Sequence, residues 1–347
     1  MTEDHAMHRF LIPLLALAAS AAPAAEGDVT LPAGTIPFPA HASAEARAVF
    51  ARDVAVPGKD WTKEPIAAAR AHYDAINGAR ARRMHAIFPV TIRAGRIGGV
   101  PVEIIEPRGG VPAANRGRVL LNVHGGAFLW GAGSGGRVEA IPIAAEAGVR
   151  VIAIDYRMAP EHLFPAGSDD VVAVYRALLA DHAPAAIGIY GCSAGSILTG
   201  EAVAAIAAQG LPRPGAIGLF CAGITDFDGD GAYISPALSN GALPTAAPPI
   251  TARGYFARAR QDDPLVLPAV DPKVVAAFPP TLLISGTRDF ALSAVLRSHR
   301  ALVAQAVPAE LHVWDGMWHS FFSDAELPES REAYRVIARF FNRTLAR

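Results

Sequence analysis

Four short segments hold residue types that could do chemistry together. Gly191-Cys192-Ser193-Ala194-Gly195 sets a serine between two glycines, and no other serine has glycine at both of those distances. A serine hydroxyl is a weak nucleophile until an imidazole takes its proton and a carboxylate steadies that imidazole. Three histidines follow Ser193. His299 falls in an expected helix and His312 in an expected strand, whereas His319 lies in the loop after that strand, where a base has to sit. Asp289, reached from another expected strand through Gly286-Thr287-Arg288, is the preferred carboxylate; Asp315, in the turn before His319, is its rival. His124-Gly125-Gly126 follows a further strand. Backbone amides preorganised around a developing alkoxide are each worth about a hundredfold in rate. Gly125, Gly126 and Ala194 are the expected donors, and His124 reads as a brace for its loop. The chemistry would be acyl transfer: Ser193 attacks a carbonyl, His319 takes and returns the proton, Asp289 holds the imidazole, and water clears the acyl-enzyme.

Side chains this far apart in sequence meet only if strands deliver them to one edge of a sheet. Short apolar strands are expected at 119–123, 149–155, 187–190, 216–221, 281–285 and 311–314, with helices between them. That alternation predicts a mostly parallel sheet covered on both faces. Segments 90–93 and 100–106 read as an antiparallel pair around Gly98-Gly99. Helices are expected over 42–53, 63–86, 138–147, 194–209, and from a cap at Ser168-Asp169-Asp170 to about 181; Pro142 fits only near a helix start. Around Ser193 the strand-to-helix turn must be tight, so side chains two residues away on either side would collide, and both positions are Gly. Between 225 and 273 the alternation gives way to Pro, Gly and Asp, with one helical segment near 252–260. Such an excursion in a compact fold is usually functional, often a lid. Together with the N-terminal helices it is placed to roof a pocket, with Phe128, Trp130, Phe290 and Trp318 as candidate apolar walls.

These segments, with Asp155-Tyr156-Arg157-Met158-Ala159-Pro160-Glu161-His162, Phe164-Pro165-Ala166 and Asp169-Asp170, resemble the hormone-sensitive lipase family of α/β-hydrolases over about residues 85–345. The resemblance implies an eight-stranded sheet, a cap that includes the N-terminal helices, and cofactor-free hydrolysis of short to medium acyl esters. It also implies that Arg157 and Glu161 form a supporting ion pair. Three positions depart from the family pattern: Ala127 replaces a third glycine, Cys192 stands where Asp or Thr is usual, and Phe290-Ala291 replaces Pro-Leu.

Composition narrows the alternatives. Apolar residues make up 52% and charged residues 18%, enough for a buried core. Thirty-one basic side chains against 32 acidic ones argue against binding nucleic acid through phosphates. Residues 1–25 read as an export signal, with an apolar run over 10–22 too short for a stable membrane span, which predicts a periplasmic or secreted protein. A leader with cap helices (26–86) and the main domain (87–347) follow. Two cysteines, Cys192 and Cys221, rule out a disulfide scaffold and read as small buried thiols. No metal cluster is evident. Gly131-Ala132-Gly133-Ser134-Gly135-Gly136, with Asp155 beyond it, outlines a dinucleotide fingerprint and an oxidoreductase, but Gly125 to Trp130 separate it from its strand. A non-catalytic ligand-binding relative would be expected to have lost the serine or the histidine, and neither is lost. Esters, lactones and aryl amides all suit the same machinery, and oligomeric state is not readable.

Overall fold

The strands decide the architecture. In the computed structural model β1 (Val90–Ile97) and β2 (Val100–Pro107) form the antiparallel pair. They are followed by β3 (Val119–Val123), β4 (Arg150–Ile154), β5 (Ile187–Cys192), β6 (Ala216–Phe220), β7 (Thr281–Arg288) and β8 (Ala309–Trp318). All eight make one sheet in the order β1-β2-β4-β3-β5-β6-β7-β8; β2 pairs antiparallel with β4, and every pair from β4 onward is parallel. This is the α/β-hydrolase arrangement expected from the sequence.

Alternate residues of the central strands feed two cores. Val119, Leu121, Val123, Ile187, Ile189, Ile217 and Leu219 enter one hydrophobic cluster, while Leu120, Tyr190, Cys192, Ala216 and Phe220 enter the other. Strands buried on both faces need helices on both sides. α3 (Ser134–Ala147) and α9 (Pro328–Thr344) cover one face, and α4 (Ala166–Leu178), α5 (Ala194–Ala208) and α8 (Leu292–Ala304) the other. Each fully buried Val, Leu or Ile contributes about 1.5–3 kcal/mol. Before the sheet lie α1 (Ala44–Val49), extended by a wide turn over Phe50–Val54, and α2 (Ile66–Ile87).

The structure describes residues 29–30, 34–56, 58–247 and 254–346. The expected export signal lies outside them. The stretch up to Pro37 is a unit of its own, without helix or strand among its described residues, and the chain from Phe38 onward is a second unit. No helix among the described residues is long and apolar enough to cross a membrane.

Several sequence expectations need correction. α3 begins at Ser134 and runs through Pro142, which sits mid-helix and is buried. Ser168-Asp169-Asp170 do not cap α4 but lie inside its first turn. The 225–273 excursion holds α6 (Asp230–Asn240), which includes Pro236, while the described part of the expected helix near 252–260, from 254 on, holds only a short turn at Gly254–Phe256. Short α7 (Pro272–Ala276), capped by Asp271, then leads into β7.

Candidate active site

Ser193 sits where β5 turns into α5, with φ 57° and ψ −120°. The turn is tight enough to forbid side chains nearby. A Cβ on Gly191 would stand 2.3 Å from the Val123 carbonyl oxygen, and one on Gly195 only 1.8 Å from the same atom. The clash is therefore with neighbouring β3 as much as within the turn, which explains both glycines. The Ser193 amide donates to the Phe220 carbonyl at 2.8 Å, tying the turn to β6. Its side chain points from the carboxyl edge of the sheet into a cleft of about 320 Å³.

Asp289 and His319 meet at the ends of β7 and β8. Asp289 Oδ1 lies 2.7 Å from His319 Nδ1. The carboxylate is wholly buried and accepts two further bonds, from the Ala291 amide to Oδ1 at 2.9 Å and from Ser285 Oγ to Oδ2 at 3.0 Å. Three donors on one carboxylate fix its rotamer and hence the imidazole plane. Phe290 packs on that ring with centroids 4.4 Å apart. Asp315, the rival acid, accepts from Thr287 Oγ1 and stands beside His41, not His319. His319 and Ser193 line the same cleft, though no hydrogen bond joins them. Such contacts often close only in the substrate complex.

Backbone amides around the loop after β3 differ in whether they are already bonded. The amides of Gly126 and Ala194 have no acceptor among the described residues. The amide of Gly125, expected as a third donor, is committed: it donates to Glu139 Oε1 at 2.8 Å. Ala127, next along the loop with φ 54°, also has no acceptor for its amide among the described residues. His124 is fully buried, stacked on Tyr156, with Nδ1 2.7 Å from the Gly125 carbonyl. Burial pushes its pKa down to about 4, so it stays neutral at ordinary pH. That suits a brace.

Glu139 had no signal in the sequence beyond being one charged residue in a helix. It lines the cleft from α3, accepts from Asn122 Nδ2 at 3.0 Å as well as from Gly125, and burial pushes it up to about 7. The remaining walls come from Tyr73, Asn77 and Arg80 of α2 on one side, and from Phe128, Ile197, Phe227 and Phe290 on the other. Trp130 also lines it, stacked on Tyr73 at 4.1 Å. Trp318 does not; it packs on Phe50.

The expected Arg157–Glu161 pair is not formed. The turn between them sends Arg157 to Asp170 on α4, at 2.8 Å, and Glu161 to Arg70 on α2, at 2.7 Å. Arg70 also reaches the Leu129 and Ala159 carbonyls, so this pair pins α2 to the loop beside the cleft. Asp155, the acid of the dinucleotide outline, accepts from the Gly133 amide at 2.7 Å and is thus taken up in bracing the entry to α3. Cys192 and Cys221 are buried free thiols. The ligand atoms of Cys221, Asp289 and His319 lie within 4.8 Å of one another, a grouping that the Asp289–His319 bond already accounts for.

Known proteins share this fold. Residues 120–323 match a family model described as the alpha/beta hydrolase fold. LipR of Mycobacterium tuberculosis is 31% identical over 241 residues, covering 68% of this chain and 75% of LipR. An acetyl-hydrolase of Streptomyces hygroscopicus is 30% identical over 232 residues, covering 66% and 77%. A crystal structure of an esterase superposes with a TM-score of 0.78 at 32% identity, covering 92% of this chain and 99% of that one. Another, of an esterase from the bacterial hormone-sensitive lipase family, gives 0.75 at 28%, covering 88% and 99%.

Proposed function

The chain belongs to the hormone-sensitive lipase family of α/β hydrolases and is a carboxylic-ester hydrolase, and we propose that it works through Ser193 as nucleophile, with an acyl-enzyme intermediate. In this reading His319 takes the Ser193 proton through Nε2, because Nδ1 is turned to Asp289. The imidazolium that forms lies against a buried carboxylate, where the attraction is weakly screened. The amides of Gly126 and Ala194, at the positive end of α5, receive the oxyanion, with Ala127 taking the place first expected of Gly125. His319 then returns its proton to the leaving alcohol, and water repeats the cycle on the acyl-enzyme.

The observation that carries this proposal is the 2.7 Å Asp289–His319 contact, with the imidazole lining the same cleft as Ser193. The size of the cleft, about 320 Å³, supports small esters with short to medium acyl chains as substrates. A panel of p-nitrophenyl esters of rising chain length, run with wild type and Ser193→Ala, tests both parts. Turnover should peak at short chains and vanish in the variant, whereas activity surviving in the variant would remove Ser193 from the mechanism.

Export is the remaining part of the proposal. The apolar run at 10–22 supports cleavage near residue 25 and a periplasmic or secreted enzyme. Amino-terminal sequencing of the protein recovered from a periplasmic extract should find the run removed; an intact terminus on a cytosolic protein would refute it.

A further inference from the structure

Glu139 touches the loop after β3 without being part of the triad. Its Oε1 receives the Gly125 amide at 2.8 Å, on the loop whose next residue is Gly126. Asn122 Nδ2, near the end of β3, donates to Oε2 at 3.0 Å. Both donors are neutral. The titratable groups facing Glu139 from the surrounding elements are Tyr156 after β4, and Tyr190 and Cys192 of β5. A carboxyl group largely withdrawn from water is costly unless hydrogen-bonded, and an apolar side chain on this otherwise apolar face of α3 would avoid that cost. Its presence is therefore better explained by what it holds than by what it adds to stability.

We propose that Glu139 is a positioning residue for the oxyanion site, its carboxyl group holding the Gly125 amide of the loop after β3 and Asn122 near the end of that strand. Gly126 comes directly after the held residue. The amides of Gly126 and Ala194 converge on one point only if the loop after β3 keeps a fixed separation from the turn after β5. A carboxyl group on α3 that accepts from both the strand and the loop sets the loop's place. The proposal rests on the Ser193 reading, since the amides it aligns matter only if an oxyanion forms there.

The acceptors, not the charge, do the clamping, and the structure offers a way to separate the two. Asn122 Oδ1 is buried without a partner. In Glu139→Gln the carboxamide oxygen can stay on the Gly125 amide while its NH2 meets Asn122, whose own amide flips to present Oδ1. Glu139→Met fills similar space with no acceptor. Glu139→Asp keeps the charge and withdraws the oxygens by one methylene.

The test is kcat and KM for p-nitrophenyl acetate, with thermal melting, on wild type, these three variants and Ser193→Ala. Glu139→Met and Glu139→Asp should lose about ten- to a hundredfold in kcat, with KM within about threefold, because a misplaced donor costs transition-state and not ground-state binding. Glu139→Gln should recover at least about a third of the wild-type kcat. If Glu139→Met does not fold, Glu139→Asp carries the comparison. A Met or Asp variant at wild-type kcat would reduce Glu139 to packing, and a Gln variant as slow as the Met variant would make the charge the active feature; either overturns the proposal. Ser193→Ala, scored separately, reports whether the underlying serine reading itself fails.

Discussion

Replacing Asp289 with Asn separates the charge of this carboxylate from its geometry. Oδ1 accepts from both Ala291 N–H and His319 Nδ1, whereas Oδ2 accepts only from Ser285 Oγ. In the Asn variant the amide oxygen must remain at the Oδ1 position, because an NH2 there would face the fixed Ala291 N–H. Its NH2 then points at the Ser285 hydroxyl, which can rotate to accept. The imidazole keeps its proton on Nδ1 and its orientation, and only the attraction to the imidazolium is lost. Two unit charges about 4 Å apart at an effective dielectric of about 20 attract by about 4 kcal/mol, or about a thousandfold in rate. A reversed tautomer would cost about 10⁴. Steady-state kinetics of Asp289→Asn on p-nitrophenyl acetate should therefore show kcat down by about a thousandfold with KM within about threefold. A loss under about tenfold would refute the role of the carboxylate charge, and one of about 10⁴ or more would refute the argument that Ala291 fixes the amide.

Other expectations follow from particular contacts. His124 is held near pKa 4 when folded and returns to about 6.5 unfolded, so the unfolded state binds more protons between those values, and stability falls as pH drops from about 6.5 to 4. Urea unfolding of His124→Gln across that window should show a shallower pH dependence than wild type. Glu139 works in the opposite sense. Its pKa is raised to about 7, so its burial costs stability progressively as pH rises from about 4.5 to 7, and the melting temperature of Glu139→Gln relative to wild type should improve from pH 5 to pH 8. Arg157→Ala should destabilise by about 1.5–3 kcal/mol in urea, since the nearly buried Asp170 loses the guanidinium and keeps only the backbone amide of residue 157, while Glu161→Gln, at a half-exposed pair, should cost under about 1 kcal/mol. Phe290→Ala enlarges the cleft beside His319, so the kcat/KM ratio of octanoate to butyrate esters should rise; an unchanged ratio would take Phe290 out of the chain-length wall.

What could be read in advance was whatever backbone geometry writes into local sequence. Gly191 and Gly195 mark the turn because no Cβ fits beside Val123, and His319 and Asp289 follow strands whose apolar residues are plain. The number of strands came with the family resemblance, and their order only with the structure. Contacts made only in three dimensions were not legible. Glu139 looks like any helix glutamate until α3 is docked over the loop after β3, and that docking is what diverts the Gly125 amide. Arg157 and Glu161 are near in sequence but the turn between them points them at different helices, α4 and α2. α6 was hidden because Asp230, Gly231 and Pro236 read as loop residues, although Pro236 is tolerated inside the helix as formed.

The central claim is that one serine hydroxyl carries the acyl group. The direct measurement is mass spectrometry of peptides from enzyme quenched during turnover of p-nitrophenyl acetate. An acetyl group should be found on the peptide bearing Ser193, on the serine itself and not on adjacent Cys192, and should be missing from the Ser193→Ala protein. Full activity with no acetylated peptide, or an adduct on another residue that turns over at the steady-state rate, would contradict the account.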